Sequence, residues 1–229
     1  MDAASSGSDV PATDQISVLV VDDHQTFAEL LALALQAEPT LRYVGHARTS
    51  AEALHLVGML RPDVVLMDVE LPDLDGLATT ELLLQRYPQQ RVVVLTAHAE
   101  AALVARAALA GACGFLPKGG ALADVLQALR TAHRGGMVVP AHLLAGALAA
   151  PVAGPSAGAA AGLTGREREV LTMMGRGSDT RGIARELGIS LHTCRGYIKS
   201  ILAKLGAHSQ LEAVMTAIQL GLFNPAGRP

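Results

Sequence analysis

The sequence predicts two domains, a doubly wound parallel α/β domain followed by a small all-helical domain. Three observations lead to this fold class. Over residues 15–135, short apolar runs of strand length alternate with segments of helix length, a pattern typical of a parallel sheet. A segment rich in Ala, Gly, Pro and Ser then covers residues 146–162. From Leu163 onward only helical patterns occur, separated by short turns.

The α/β domain, residues 15–135, contains five predicted strands that alternate with five predicted helices. Pro and Gly residues stand at several of the boundaries, where they interrupt regular structure. Right-handed crossovers between parallel strands lead to a five-stranded sheet of order 2-1-3-4-5. The strands are predicted near residues 16–21, 41–47, 63–68, 91–96 and 113–116, and the helices near 25–37, 51–60, 76–87, 100–110 and 121–134.

The helical domain is predicted over residues 163–223. Thr164 is expected to cap its first helix, because Glu167 stands three residues later, in the position of a capping box. Helices are predicted near residues 165–175, 179–187, 191–205 and 209–220. The remaining segments are a predicted disordered tail at 1–14, a linker at 136–162, flexible by composition over 146–162, and a short tail at 224–229.

Charge differs between the two halves of the chain. Residues 1–162 carry 9 Lys and Arg against 16 Asp and Glu, whereas residues 163–229 carry 9 against 5. A basic second half favours a polyanionic partner, although chance variation in surface charge would give the same imbalance.

Targeting signals and metal-binding spacings are lacking in the sequence. The two cysteines, Cys113 and Cys194, show no zinc or disulfide spacing. The acidic, polar first residues do not form a signal peptide, and no apolar stretch has the length of a membrane helix. We therefore expect a cytoplasmic protein that does not enter membranes.

Polar residues able to handle a phosphoryl group follow four of the five predicted strands. Asp22 and Asp23 follow the first strand, Asp68 ends the third, Thr96 ends the fourth, and Lys118 follows the fifth. The carboxyl ends of parallel strands meet at one edge of a sheet, so these side chains should converge. Clustered carboxylates bind Mg²⁺, and one carboxylate can become an aspartyl-phosphate. The set predicts phosphoryl transfer onto an aspartate, although any single Asp there could merely cap a helix.

Four segments around these residues resemble the receiver domain of bacterial two-component response regulators: VLVVDDHQTF, VVLMDVELPDLDG, VVVLTAH and GFLPKG. The resemblance implies that Asp68 accepts a phosphoryl group from a sensor histidine kinase. It also implies that Asp23, Asp68 and the backbone carbonyl of Glu70 bind Mg²⁺, with assistance from Asp22.

The same resemblance assigns roles to residues after the fourth and fifth strands. Thr96 and Lys118 would contact the phosphoryl oxygens, and Ala97 would leave room for them. Phe115 occupies the position of the family's aromatic switch residue, although a simple core role explains it equally well. The lysine departs from the family's usual setting, because proline precedes it and glycine follows it.

An enzyme acting on an external phosphate ester is a competing interpretation. Haloacid-dehalogenase-type phosphatases also use a strand-end Asp nucleophile, but theirs lies in a DxD motif, whereas Asp22 and Asp23 are adjacent. Nucleotide-binding motifs of the GxxxxGK[ST] and GxGxxG types are missing from the sequence. The receiver interpretation is therefore favoured.

The second domain has helix-turn-helix character. Ile183, Ala184 and Leu187 form one apolar face, and the next helix has its own apolar face beyond a turn at Gly188. A protein-binding module would show the same faces. The excess of basic residues favours DNA.

Three segments of this domain resemble the LuxR-type DNA-binding domain: LTGREREVL, IARELGIS and KLGAHSQLEAV. With a receiver in front, the chain resembles the NarL/FixJ subfamily of response regulators. The resemblance implies that helix 191–205 enters the major groove of double-stranded DNA and that the last helix mediates dimerisation. The residues implied to face the bases are Arg195, Gly196 and Lys199, and those implied to contact phosphates are Thr193, Tyr197 and Lys204. The residues implied to form the dimer contact are Leu211, Val214, Ala217 and Ile218.

Together these patterns predict a cytoplasmic transcriptional regulator, not an enzyme, in which phosphorylation of Asp68 switches dimerisation and DNA binding. The alternative is a regulator that binds DNA independently of phosphorylation and uses its receiver as an interaction scaffold. A complete set of acids, Thr and Lys favours the first hypothesis.

Overall fold

A computed structural model describes residues 15–149 and 162–222 of the chain. Five parallel strands form one sheet of order β2-β1-β3-β4-β5, which confirms the predicted fold class and strand order. The strands are β1 (Ile16–Val21), β2 (Leu41–Ala47), β3 (Val64–Asp68), β4 (Arg91–Thr96) and β5 (Gly114–Pro117).

Helices cover both faces of the sheet because the central strands are apolar on both sides. Val18 and Val20 of β1 pack with helices α1 and α5, whereas Leu19 and Val21 pack on the opposite face with α2 and α3. The helices are α1 (Gln25–Gln36), α2 (Ser50–Leu60), α3 (Gly76–Arg86), α4 (Ala101–Leu109) and α5 (Leu122–His133).

Part of the predicted linker over 136–162 is helical. Helix α6 (Ala141–Ala149) packs against α4 and buries Leu143, Leu144 and Ala147. These residues share one helical face, and the segment's many alanines favour helix formation. Two leucines and one alanine therefore hold this helix against α4. Residues 150–161 of the predicted linker and both predicted tails lie outside the described residues.

Four helices form the second domain, as predicted: α7 (Gly165–Gly175), α8 (Thr180–Glu186), α9 (Leu191–Leu205) and α10 (Gln210–Gln219). The predicted capping box between Thr164 and Glu167 is present. Glu167 also ties α7 to α9, because its carboxylate accepts hydrogen bonds from Ser200 and Lys204. Helix α9 ends at Gly206, whose positive φ of 64° suits glycine.

The two domains are docked against each other through apolar and polar contacts. A single apolar cluster runs from Phe115 and α4 through α6 to α7 and α10. Ser209 Oγ donates to the Ala108 carbonyl at 3.0 Å, joining α10 to the end of α4. The Gly135 carbonyl after α5 accepts from Thr180 Oγ1 at 2.8 Å and from Gln210 Nε2 at 3.0 Å. In the described part of the chain, no helix is long and apolar enough to span a membrane.

Candidate phosphorylation site and DNA-binding surface

The predicted acids converge at the carboxyl edge of the sheet. Asp22, Asp23 and Asp68, together with His24, offer potential ligand atoms that all lie within 4.8 Å of one another. Asp22 and Asp68 are each only 2% exposed, whereas Asp23 is half-buried. Parallel topology produces this cluster, because β1 and β3 are hydrogen-bonded neighbours that end at the same edge.

Lys118 neutralises the buried carboxylates. Its Nζ lies 2.7 Å from Asp22 Oδ2 and 2.7 Å from Asp68 Oδ2, and it also lies over the ring of Phe27. Burial raises the pKa of Asp68, although the hydrogen bond and charge of Lys118 partly oppose this rise. Burial alone would lower the pKa of Lys118, but its bonds to the two aspartates outweigh burial and raise that pKa. The ammonium is therefore a fixed positive charge beside Asp68.

A tight loop after β3 holds Asp68, the predicted phosphoacceptor. Gly76 N donates to the Val69 carbonyl at 2.8 Å, and a Cβ at Gly76 would lie only 1.7 Å from the Asp68 carbonyl oxygen. Only glycine permits this close approach of α3 to the strand end. Gly76 ends the segment VVLMDVELPDLDG that resembles receiver domains, but only the three-dimensional structure shows what it contacts.

Two further aspartates of this loop, for which the sequence predicts no role, bind to neighbouring helices. Asp73 accepts from the backbone N–H groups of Ser50 and Ala51 at the start of α2, and the Ser50 bond lowers the pKa of Asp73 despite partial desolvation. Asp75 caps α3 and accepts from Arg106 of α4 at 2.7 Å. The Asp-x-Asp-Gly order is a cap signal, but it does not reveal the long-range partners.

Thr96 and Phe115 lie behind the acids. Thr96 is fully buried; its Oγ1 accepts from His98 N at 3.2 Å, and its carbonyl accepts from Lys118 N at 2.7 Å. Phe115 is also fully buried and belongs to the same apolar cluster as Val104 of α4. The switch position is therefore a core position in this conformation.

The donor set fits a hard divalent cation. Asp23 Oδ1 is buried and accepts no hydrogen bond, although His24 Nδ1 lies 2.8 Å away without suitable alignment. Carboxylate oxygens of Asp22, Asp23 and Asp68 lie within 4.8 Å of one another. Mg²⁺ prefers oxygen ligands and is commonly held by one or two carboxylates plus water. Glu70, whose carbonyl was predicted to contribute, follows Asp68 by two residues, and its backbone N–H donates to the Asp68 carboxylate.

Helix α9 carries the residues predicted to contact DNA. Thr193, Arg195, Gly196 and Lys199 are exposed, whereas Tyr197 is half-buried. Glycine at position 196 has open space around it, so nothing in the chain requires its small size there.

The sixth predicted DNA contact, Lys204, has a partner within the protein. Lys204 Nζ lies 2.7 Å from Glu167 Oε2 and 2.9 Å from Oε1. These bonds help to lower the pKa of Glu167 to about 2, against the opposing effect of burial. Since Lys204 remains about one third exposed, its contact with a DNA phosphate stays a prediction.

The predicted dimerisation residues lie inside the docked chain. Leu211, Val214 and Ala217 are fully buried, and Ile218 is half-buried at the edge of the same cluster. Helix α10 contacts α7 and α9 of its own domain and also α4 and α6. Their use between two copies of the chain remains a prediction, and in this conformation they pack within one copy.

Known families match both halves of the chain. The response regulator receiver domain matches residues 18–130, and the luxR family of bacterial regulatory proteins matches residues 161–217. The chain is 39% identical over 218 residues to transcriptional activator protein ExaE of Pseudomonas putida, covering 92% of this chain and 100% of ExaE. It is 33% identical over 214 residues to the probable transcriptional regulatory protein NarL of Mycobacterium tuberculosis, covering 93% and 99%.

A solved structure extends the similarity across both domains. The crystal structure of response regulator ChrA from a heme-sensing two-component system shares 27% identity with a TM-score of 0.50, covering 91% of this chain and 99% of ChrA. The receiver site, the helix-turn-helix domain and these relatives lead to one conclusion. The chain belongs to the NarL/FixJ subfamily of response regulators and is a DNA-binding transcriptional regulator with a LuxR-type domain.

Proposed function

We propose that phosphorylation of Asp68 by a sensor histidine kinase releases the DNA-binding domain from the receiver and permits dimerisation on DNA. The observation that carries this proposal is the path between the two sites. A buried cluster of acids and Lys118 lies at the carboxyl edge of the sheet. Helix α4 begins near the same edge and packs directly against α6 and α10. A change near Asp68 therefore needs to move only one helix to affect the DNA-binding domain.

The phosphoryl transfer follows from the groups around Asp68. One carboxylate oxygen attacks phosphorus, the P–N bond to the kinase imidazole breaks, and the imidazole keeps the bonding electron pair and takes up a proton. Lys118 then moves its hydrogen bond from Asp68 to a phosphoryl oxygen. Asp22, Asp23, Asp68 and the Glu70 carbonyl would hold Mg²⁺, which when bound neutralises charge on the phosphoryl oxygens.

A docking face for the kinase lies beside this site. Helix α1 begins two residues after Asp23 and exposes Leu30 and Leu33, at 60% and 65% exposure. Exposed leucines on one turn of a helix offer an apolar contact for a partner helix. A kinase bound there would bring its phosphohistidine near the carboxyl edge of the sheet.

Transmission would begin at Thr96 and Phe115. A phosphoryl group on Asp68 attracts the Thr96 hydroxyl. In the described conformation, that hydroxyl accepts a hydrogen bond at 3.2 Å from His98 N, in the loop that precedes α4. Withdrawing that hydroxyl frees the start of α4, and Phe115 repacks against Val104. The contacts of α4 with α6 and α10 then weaken.

Release would expose two surfaces together. Arg195 and Lys199 of α9 now line a cleft that faces the receiver. Leu211, Val214 and Ala217 of α10 are buried against the chain's own helices. An undocked domain could pair through α10 with a second copy and place two α9 helices on a two-fold-related DNA site.

The test measures phosphoryl uptake and DNA affinity on the full chain. With acetyl phosphate and Mg²⁺, intact mass should show one added phosphoryl group on the wild type and none on Asp68→Asn. DNA binding, followed by fluorescence anisotropy, should tighten at least tenfold after phosphorylation. Wild type that gains no phosphate, or Asp68→Asn that gains as much, would refute the assignment of Asp68.

The alternative, binding of DNA independently of phosphorylation, predicts a different result in the same experiment. The chain would take up phosphate on Asp68, yet its DNA affinity would stay unchanged. The docked α10 argues against this outcome, because a permanently buried α10 face would not be available to a second copy.

A further inference from the structure

A cleft of about 980 Å³ lies between the two domains, on the side of the receiver opposite the acid cluster. Its receiver wall comes from the end of α3, the start of β4 and the end of α5, and its other wall from α8, α9 and the turn before α10. Binding sites for small ligands commonly occur between domains and occupy about 300–1,000 Å³. The cleft is therefore large enough for a nucleotide.

The lining of this cleft is strongly cationic. Its positive or protonatable side chains are Arg91, His133, Arg134, Arg195, Lys199 and His208, whereas Glu81 is its one carboxylate. Three of these groups have acidic partners just outside the lining. Arg134 lies 3.0 Å from Asp179, His133 lies 3.8 Å from Asp63, and His208 lies 3.3 Å from Glu212.

The other three cations lack such partners. Among the residues that the structure describes, Arg91, Arg195 and Lys199 form no ion pair within 4.0 Å. Arg91 comes from β4 of the receiver, and Arg195 and Lys199 come from α9, so docking places these like charges along one cleft. An anion bound in the cleft would reduce the repulsion between them.

Arg91 is the informative member because it belongs to the receiver and has no expected part in DNA binding. A methyl group built on Gly135 would lie 3.5 Å from Arg91 Nη2 and 2.8 Å from Thr180 Oγ1. The guanidinium thus lies beside the point where α8 meets the receiver. Guanidinium groups bind phosphate oxygens in a bidentate manner, so Arg91 can anchor an anion to this wall.

The remaining lining suits the rest of a nucleotide. Apolar side chains, including Leu84, Ile198 and Leu202, offer surfaces against which a base can pack. The amides of Gln85 and Gln89 can donate to and accept from the polar edge of a base, whereas Gln90 Nε2 already donates to the carbonyls of Pro62 and Arg91.

We propose that the docked conformation binds an oligophosphate ligand, most fittingly a nucleotide with two or more phosphates, between Arg91 on the receiver and Arg195 and Lys199 on α9. The ligand and DNA would compete, because both use Arg195 and Lys199. Binding therefore stabilises the docked state and weakens DNA binding by the same factor by which DNA weakens ligand binding. Ligand binding itself does not require phosphorylation of Asp68, so it can be tested separately from the proposed function.

The experiment titrates the full, unphosphorylated chain with ATP, GTP and inorganic tripolyphosphate by calorimetry, in the absence of Mg²⁺. Wild type should bind at least one of these probes, and Arg91→Gln should weaken that binding at least tenfold, whereas Arg91→Lys should retain part of it. Arg42→Ala removes an exposed arginine from β2 at the far edge of the sheet and is the matched control. Circular dichroism establishes that each variant is folded.

The probes distinguish the two sources of the oligophosphate group. Tighter binding of ATP or GTP than of tripolyphosphate supports a nucleotide, and the reverse order supports a free polyphosphate. In an anisotropy assay, the bound probe should lower DNA affinity for wild type and not for Arg91→Gln, which should bind DNA normally without the probe.

Three results would overturn the proposal. They are no binding of any of the three probes, equal binding by wild type and Arg91→Gln, and equal losses in Arg91→Gln and Arg42→Ala. The second result would mean that α9 alone attracts polyanions through its DNA-binding residues, with no contribution from the receiver wall.

Discussion

Replacing Glu167 with Gln should destabilise the DNA-binding domain by removing one buried charge. Glu167 is 3% exposed, and its carboxylate accepts from Thr164 N at 2.6 Å, Ser200 Oγ at 2.6 Å and Lys204 Nζ at 2.7 Å. Gln preserves the size of the side chain and one acceptor oxygen. It removes the charge, and its amide group faces donors that it cannot satisfy.

The hydrogen bonds to Glu167 and its lowered pKa set the size of this loss of stability. Hydrogen bonds to charged groups contribute about 1.5–3 kcal/mol each, but Gln retains part of the network. A pKa of about 2 in the folded chain, against 4.5 ordinarily, corresponds to at most about 3 kcal/mol at 1.36 kcal/mol per unit. Lys204 is 34% exposed, and water therefore weakens the pair. We expect a loss of about 2 kcal/mol.

The lowered pKa also predicts the dependence on pH. The stabilising contribution of Glu167 should be complete above about pH 4.5 and should be lost as the pH falls through about 2. The Glu167→Gln variant has no carboxylate at this position. It should therefore lose less stability than wild type over that pH range.

Hydrogen–deuterium exchange of α7 and α9 amides in the full chain, followed by mass spectrometry, measures the local free energy of opening. Glu169→Gln is the matched control, since it removes the same charge from an exposed ion pair with Arg166 on the same helix. That control should lose less than about 0.5 kcal/mol. Equal losses in the two variants, or a Glu167→Gln domain as sensitive to acid as wild type, would refute the reasoning.

Two further predictions concern the loop after β3 and the contact between the two domains. Gly76→Ala should slow phosphoryl uptake from acetyl phosphate at least tenfold, because its Cβ would lie 1.7 Å from the Asp68 carbonyl oxygen. Gly119→Ala adds a methyl group in open space and should leave uptake unchanged, so equal uptake rates for the two variants would disprove the steric explanation. Thr180→Val should favour undocking by about 1 kcal/mol, because it removes the buried hydrogen bond to the Gly135 carbonyl. Small-angle scattering should show a larger average size for this variant than for Thr172→Val, which loses only a hydrogen bond within α7, and equal sizes would contradict the role of Thr180.

Local sequence signals predicted most of the secondary structure. Apolar runs and their polar ends located all five strands to within a residue or two, and the Thr164 and Glu167 spacing located the start of α7. These signals succeed because strand and helix periodicity and capping depend on residues close together in the chain. The convergence of Asp22, Asp68 and Lys118 was also predictable, since parallel strands end at one edge of the sheet.

Contacts between surfaces were less predictable. Helix α6 lies in a segment that the sequence predicts to be a linker, because alanines and glycines surround its few leucines, and only its contact with α4 shows that it packs. The position of Lys204 in the motif predicts a DNA contact, but no neighbouring residue in the sequence indicates its ion pair with Glu167, 37 residues away. Similarly, one apolar face of α10 serves equally well inside one chain or between two chains.

The sequence by itself determined the two folds, the acid, hydroxyl and lysine set at the strand ends, and the identity of the helix that carries Arg195 and Lys199. Each of these follows from periodicity, strand termini or a short motif. The tertiary structure decided how the domains meet: α10 buried against α4 and α6, and Arg91 facing α9 across a cationic cleft. Those relationships depend on the complementary shape and charge of surfaces far apart in the chain, which no local pattern encodes.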